Sequence, residues 1–313
     1  MLRLIGRRLA LSLPLLFVVS ASTFLLAALI PGDVARTIVG PSATQEQYAS
    51  LRSSLGLDQS LPSRYWDWLT GAVQGDLGLS LFSQEPVSSL LSSRLPVTLS
   101  LVIGSTLVAT VAGLGLGIAA AQAAGPLGRL VDAIALVGLA IPNFFLGLLL
   151  VAWFAVALPL LPATGYVPFA ESPSEWLRSL VLPVITLAVP GVAVIAKQTR
   201  DGMREALDRP FIRTLRAAGL SQRSLVYRHA LRNAAIPVAT VVGIVFVAAL
   251  SGTVLVESVF SMPGLGGVAV QATDQHDLPL IQGVAIEFTV IVIIVNLVVD
   301  VAYGWLDPRV RVS

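Results

Sequence analysis

Few side chains in this sequence can react, hold a phosphate or bind a metal, and their spacing closes most of those routes. There is no cysteine, which excludes disulfides, thiolate metal sites and a thiol nucleophile. Lys197 is the only lysine. A phosphate-cradling loop needs G-x-x-x-x-G-K-[S/T], because backbone amides and the lysine hold the phosphates together. Lys197 follows Val194, Ile195 and Ala196 and precedes Gln198, so the chain has no such loop. Ser251-Gly252 superficially fits an intramembrane serine nucleophile, which would need a histidine facing it within the bilayer. The only histidines, His229 and His276, both fall in loops between apolar stretches, and two histidines without cysteine give no metal site.

The remaining polar candidates sit in apolar surroundings. They are Glu287, Asn296 and Asp300 near the end of the chain, Asn143 and Trp153 in its middle, and Glu257. Ionisable groups at membrane depth are costly and face a cavity or a partner. Glu287 reads as a cavity-lining or gate residue, and Asn143 as a further pore candidate. Asn296 and Asp300 read as interhelical hydrogen-bonding groups. Glu257 either contacts a solute or folds a loop against Gly264–Gly267. A proton-coupled carrier using Glu287 is an alternative from another class; such carriers show two related halves with broken helices, and no internal repeat is visible here.

The elements that position these residues are membrane helices. The 313 residues are 55% hydrophobic and 12% charged, against about 25% charged in soluble domains; mean hydropathy is +0.84. A helix needs about 20 apolar residues to cross the hydrocarbon core. Six stretches qualify: Leu9–Ile30, Thr98–Gln122, Ala133–Leu158, Leu180–Lys197, Ile236–Val256 and Leu280–Ala302. The fourth is interrupted by Pro183 and Pro190, which membrane helices tolerate better than soluble ones do. Gly113, Gly115 and Gly117 in the second predict close helix contact.

Orientation follows from the excess of basic residues on the cytoplasmic side. With the N-terminus inside, Arg3, Arg7, Arg8, Arg129, the run from Lys197 to Arg232, Arg309 and Arg311 are cytoplasmic; outside lie only Arg36, Arg52, Arg64, Arg94 and Arg178. Both termini are therefore expected inside. The chain divides into the N-terminus and first span (1–30), an external subdomain (31–94), a transmembrane core (95–304) with a long cytoplasmic loop (199–235), and a cytoplasmic tail (305–313).

That loop carries the most information. Asp208 is expected to cap a short helix, Pro210–Ala218, which Gly219 ends. Phe211, Leu215 and Ala218 share one face and Arg209, Arg213 and Arg216 another. Ser221 is expected to cap a second helix, Gln222–Asn233. A helix so short is marginal alone in water. Its apolar face is covered either by its own bundle and the membrane surface or by a cytoplasmic partner.

The stretch Arg213-Thr214-Leu215-Arg216-Ala217-Ala218-Gly219 resembles the "EAA" loop of permease subunits in ABC importers, with Gly219 at the loop's glycine and Arg213-Thr214-Leu215 in place of the leading Glu-Ala-Ala. This form is similar to that of the dipeptide and oligopeptide permeases. Further fragments agree in order along nearly the whole chain: Pro31-Gly32-Asp33, Leu55-Gly56-Leu57-Asp58, Gly75-Asp76-Leu77-Gly78, Val256-Glu257-Ser258-Val259-Phe260, Pro263-Gly264-Leu265-Gly266, Asp277 to Gly283, Asn296 to Asp300, and Leu306 to Arg311. The short N-terminus and long first external loop look like the B-type permease.

The resemblance implies an all-α integral membrane protein of six transmembrane helices with the type I importer fold, multi-pass in the bacterial plasma (inner) membrane. It makes residues 210–219 the coupling helix, with Phe211, Arg213, Leu215, Arg216, Ala217, Ala218 and Gly219 as the ATPase contact. It implies a C-type permease, two ATPase subunits (separate or fused) and an external solute-binding protein as partners. ATP and magnesium then belong to those subunits, with no cofactor, no covalent chemistry and no nucleic acid assigned to this chain. The expected solute is a short peptide or a related compound such as a nickel complex or glutathione.

Overall fold

With no water to satisfy the backbone inside a bilayer, apolar stretches fold as helices. The computed structural model describes residues 2–30, 32, 34–40, 42–122, 133, 138 and 140–306, and these are almost wholly helical. In chain order they form α1 (Leu2–Ala28), α2 (Val34–Val39), α3 (Gln45–Ser54), α4 (Leu61–Val73), α5 (Val87–Gln122), α6 (Asn143–Leu150), a π-helical segment (Val151–Ala157), α7 (Pro173–Asp208), α8 (Pro210–Ala217), a second π-helical segment (Ser224–Ala230), α9 (Leu231–Val259), α10 (Leu265–Asp274) and α11 (Leu278–Leu306). An isolated bridge, Leu79 to Pro86, is the extended pairing among the described residues.

Five described helices are long and apolar enough to span a bilayer: Ile5–Ala28, Val87–Gln122, Pro173–Asp208, Ser224–Val259 and Leu278–Gly304. The expected span Ala133–Leu158 is described in part, and Asn143–Ala157 forms an apolar helical stretch there. Pro31, Asp33, Arg129 and the expected tail residues 307–313 lie outside the described residues.

Contacts divide the chain into two compact units. The first comprises residues 1–2, 98–262 and 294–313, the second residues 3–97 and 263–293.

In the first unit α7 is the central element. Two thirds of its apolar stretch is buried, against a tenth for α1 and α11. The helix continues through Pro183 and Pro190. It begins before the predicted Leu180, with Pro173 in its first turn and Ser172 accepting a hydrogen bond from the Glu175 amide. Small residues let α5 and α9 close on it. A Cβ at Gly191 would meet Val245 at 2.7 Å and Ala109 at 2.9 Å, and the surrounding core is Ala109, Ala188, Ile195, Val238 and Val245. Along α5, a Cβ at Gly113 would meet Ile195 at 2.8 Å and one at Gly117 would meet Thr199 at 2.5 Å. Gly115 has open space around it, so the close contact uses the i, i+4 pair and not all three glycines.

The second unit holds α1, α2 to α4, the start of α5, α10 and the first half of α11. Buried polar groups tie it together. Asp277, fully buried, accepts hydrogen bonds from Ser80 Oγ (2.5 Å), the Leu280 amide (3.3 Å) and the Phe82 amide (3.4 Å). Gln282, also fully buried, donates to the Ser20 carbonyl at 3.0 Å. Ser20 Oγ pairs with Tyr65 Oη at 2.8 Å, and the Tyr65 ring packs edge-on against Phe17 and Phe24. Gly283 lies so close to α5 that a Cβ would meet Val87 at 2.4 Å.

Candidate functional site

The connection between α7 and α9 is built from strong local signals. α7 runs straight through the expected cap Asp208 and ends there. The break falls at Arg209, in extended conformation at φ −66°, ψ 146°, because a residue before proline is pushed out of the helical region. Pro210 then fills the first turn of α8, where its missing N–H costs nothing. At the other end the Gly219 amide donates to Arg216 O and the Leu220 amide to Leu215 O. That pair of bonds requires a left-handed residue, and Gly219 sits at φ +83°. The Ser224 amide donates to Ser221 Oγ at 3.4 Å, as a capping serine should accept. The following helix does not stop near Asn233; it passes through the π-helical segment into α9 with Pro237 inside.

The loop is anchored rather than loose. Met203 and Ala206 of α7 pack with Val226, Ala230 and Ala234, and Ile118 and Ala121 of α5 lie against them. Arg204 reaches the Ala120 carbonyl at 3.1 Å, satisfying an acceptor in the last turn of α5. Glu205 and Arg209 form an ion pair at 2.7 Å.

The inward face of α8 keeps only Leu215 of the expected Phe211, Leu215 and Ala218 and adds Ile212. Ile212 is fully buried and Leu215 half-buried, whereas Phe211, Arg213, Arg216, Ala217, Ala218 and Gly219 are exposed. The helix thus has an anchoring face through Ile212 and a separate exposed surface of mixed apolar and basic residues. Ile212 was legible as an apolar neighbour of Leu215 at i, i+3, but the alternative Phe211–Leu215 pairing masked it.

The polar candidates within spans are not gathered into one cluster. Glu257 is buried and accepts a hydrogen bond from Thr98 at 2.6 Å, joining α9 to α5. The Asn143 amide lies 3.1 Å from where a Cβ on Gly252 would stand. Glu287 is half-buried on α11, Asn296 and Trp153 are exposed, and Asp300 is half-buried. Ser251 Oγ donates to the Val247 carbonyl of its own helix. His229 lies 22 residues away on the same helical run, roughly 30 Å at 1.5 Å per residue, so Ser251 and His229 do not pair. Among the described residues no cluster of His, Asp and Glu has metal-binding geometry.

A single fold of this kind, crossed by long apolar helices and carrying a capped amphipathic loop, matches two family models. Residues 1–102 match "Binding-prot-dependent transport system membrane comp, N-term" and residues 113–312 match "Binding-protein-dependent transport system inner membrane component". The chain belongs to this family. It is a permease, a transport subunit of the membrane rather than an enzyme. The permease is 37% identical over 306 residues to a probable peptide ABC transporter permease of Sinorhizobium fredii, covering 97% of this chain and 98% of that one. It is 39% identical to a putative peptide transport system permease of Brucella abortus and 41% identical to the glutathione transport system permease protein GsiC of Escherichia coli K12, in each case over 99% of both chains. The fold matches a solved inward-facing MetNI methionine ABC transporter chain with TM-score 0.54 at 17% identity, over 70% of this chain and 97% of that one. Family membership displaces the ion-coupled carrier and the serine protease.

Proposed function

We propose that this permease is the B-type half of the pore of a peptide importer, with both termini cytoplasmic and with α8 as its coupling helix. The observation that carries the reading is full-length similarity to permeases named for peptides and for glutathione, itself a tripeptide. The solute is then a short peptide or peptide-like compound. The partners are a C-type permease, two ATPase subunits or a fused pair, and an external binding protein; ATP and magnesium reside on the ATPases.

The physical account of coupling follows from the loop. Ile212 and the α7–α9 core fix α8 to the bundle, so a push on its exposed surface moves α7 and α9 with it. Phe211, 38% exposed, together with Ala218 and the arginines, offers an apolar contact ringed by positive charge. Burying an aromatic of this kind contributes about 1.5–3 kcal/mol before ordering costs, which gives weak docking. Contacts between the two permeases then hold the assembly together. Closure of the ATPase dimer on ATP would be transmitted through α8 and switch the pore between inward and outward access.

Reconstitution tests the reading. Proteoliposomes holding this chain, its neighbouring-gene permease and ATPases, with the cognate binding protein outside, should accumulate labelled di- to pentapeptides only with ATP. Accumulation of another solute class with no competition by peptides would overturn the solute assignment.

A further inference from the structure

The second compact unit contains a cleft that the transport scheme does not use. One cavity of about 330 Å³ is lined by Arg52, Arg64, Gln59 and His276 on an apolar frame that includes Leu57 and Leu278. A second, of about 260 Å³, shares Gln59, Arg64, Leu81 and Leu278 with it and adds Asp67, Trp68 and Gln282. Each is a small cavity into which several polar groups converge.

The two arginines are not equivalent. Arg52 is committed to the fold: it pairs with Asp58 at 3.1 Å and donates to Tyr48 Oη and the Leu57 carbonyl. Arg64, half-buried in the first turn of α4, makes no side-chain hydrogen bond or ion pair among the described residues. Burial and the neighbouring Arg52 charge both lower its pKa from the ordinary arginine value, so the site is unfavourable for a cation and is relieved by an anion. The described lining of the larger cavity holds no carboxylate, and Asp67 lines the smaller one.

An arginine fork matches a carboxylate with two parallel hydrogen bonds, and Asp67, three residues on from Arg64 along α4 and lining the smaller cavity with it, suits an ammonium. We propose that this cleft binds a small zwitterionic solute, with Arg64 pairing with its carboxylate. The solute class rests on the peptide-importer reading above; the site itself rests on the cavity and on Arg64.

The test uses the full chain in lipid nanodiscs with its partner permease, and isothermal titration of dialanine, dialanine amide and inorganic phosphate. Dialanine should bind, and amidation or Arg64→Gln should each weaken it at least tenfold, whereas Arg64→Lys should lose less. Equal binding of acid and amide, or dialanine binding unchanged in Arg64→Gln, would overturn the proposal. Phosphate binding that depends on Arg64, without dialanine binding, would also overturn the solute assignment. Peptide uptake by the reconstituted wild-type transporter is measured in parallel. Uptake without Arg64-dependent binding removes the site and leaves the importer reading standing; failure of peptide uptake removes the reading independently of the cleft.

Discussion

The loop between α7 and α9 and the segment that precedes α5 are held by opposite means. The loop rests on small apolar side chains, Met203, Ala206, Ile212, Val226 and Ala230, with its charges on the surface. The second unit is held by hydrogen bonds that buried Asp277 accepts, buried Gln282 donates and half-buried Tyr65 shares with partners far away in the chain. Apolar contacts tolerate sliding, since their energy depends on area and not direction. A buried carboxylate with three donors tolerates none, because losing its partners costs the full desolvation penalty. On the coupling proposal the loop would move as a packed piece while the polar-locked unit keeps its shape.

Removal of the lock should give the largest effect. Asp277→Ala strands Ser80 and two backbone amides in a buried site and should destabilise the second unit by about 3 kcal/mol. Limited proteolysis in nanodiscs would report faster cleavage between residues 31 and 97. A wild-type digestion pattern would mean that Asp277 is not a structural tie. A smaller effect is expected from Gly117→Val in the first unit. Its Cβ would stand 2.6 Å from the Ala196 carbonyl, and overpacking of this sort costs about 1–3 kcal/mol. A lowered thermal midpoint, with the proteolysis pattern of the second unit unchanged, would sharpen the contrast between the units. Smallest in stability is Gly219→Ala, which forces a side chain into left-handed backbone at a cost of about 1 kcal/mol. Here the thermal midpoint should barely move while ATP-driven uptake falls severalfold. Unchanged uptake would separate the cap from coupling.

Much of the loop was legible because its signals are local. Pro210, Gly219 and Ser221 each set the backbone within a few residues, and the ends of α8 fall within one residue of expectation, whereas the helix expected to end at Asn233 runs on to Val259. Asp208 misled because the proline two residues on decides where the break falls. The spans were legible from apolar length, although α7 outran its apolar stretch at both ends. The second unit was not legible in the same way. Ser80 with Asp277, and Ser20 with Gln282, lie 197 and 262 residues apart, and no local pattern announces such a pair. The run from Asp277 to Gly283 had carried only a resemblance. The structure gives it physical content: a buried carboxylate, a buried amide and a glycine against Val87. Glu257, read as either a solute contact or a fold of the loop against Gly264–Gly267, accepts a hydrogen bond from Thr98, 159 residues away in the chain.

The central claim is that the exposed surface of α8 docks an ATPase while its buried face holds the bundle. Co-purification of the assembled transporter after solubilisation tests this most directly, comparing Phe211→Asp with the wild type. Phe211 is exposed, so the variant should reach the membrane and keep its partner permease, yet lose most of the ATPase bound on this side. Retention of both ATPase subunits at the wild-type ratio, with uptake intact, would contradict the account.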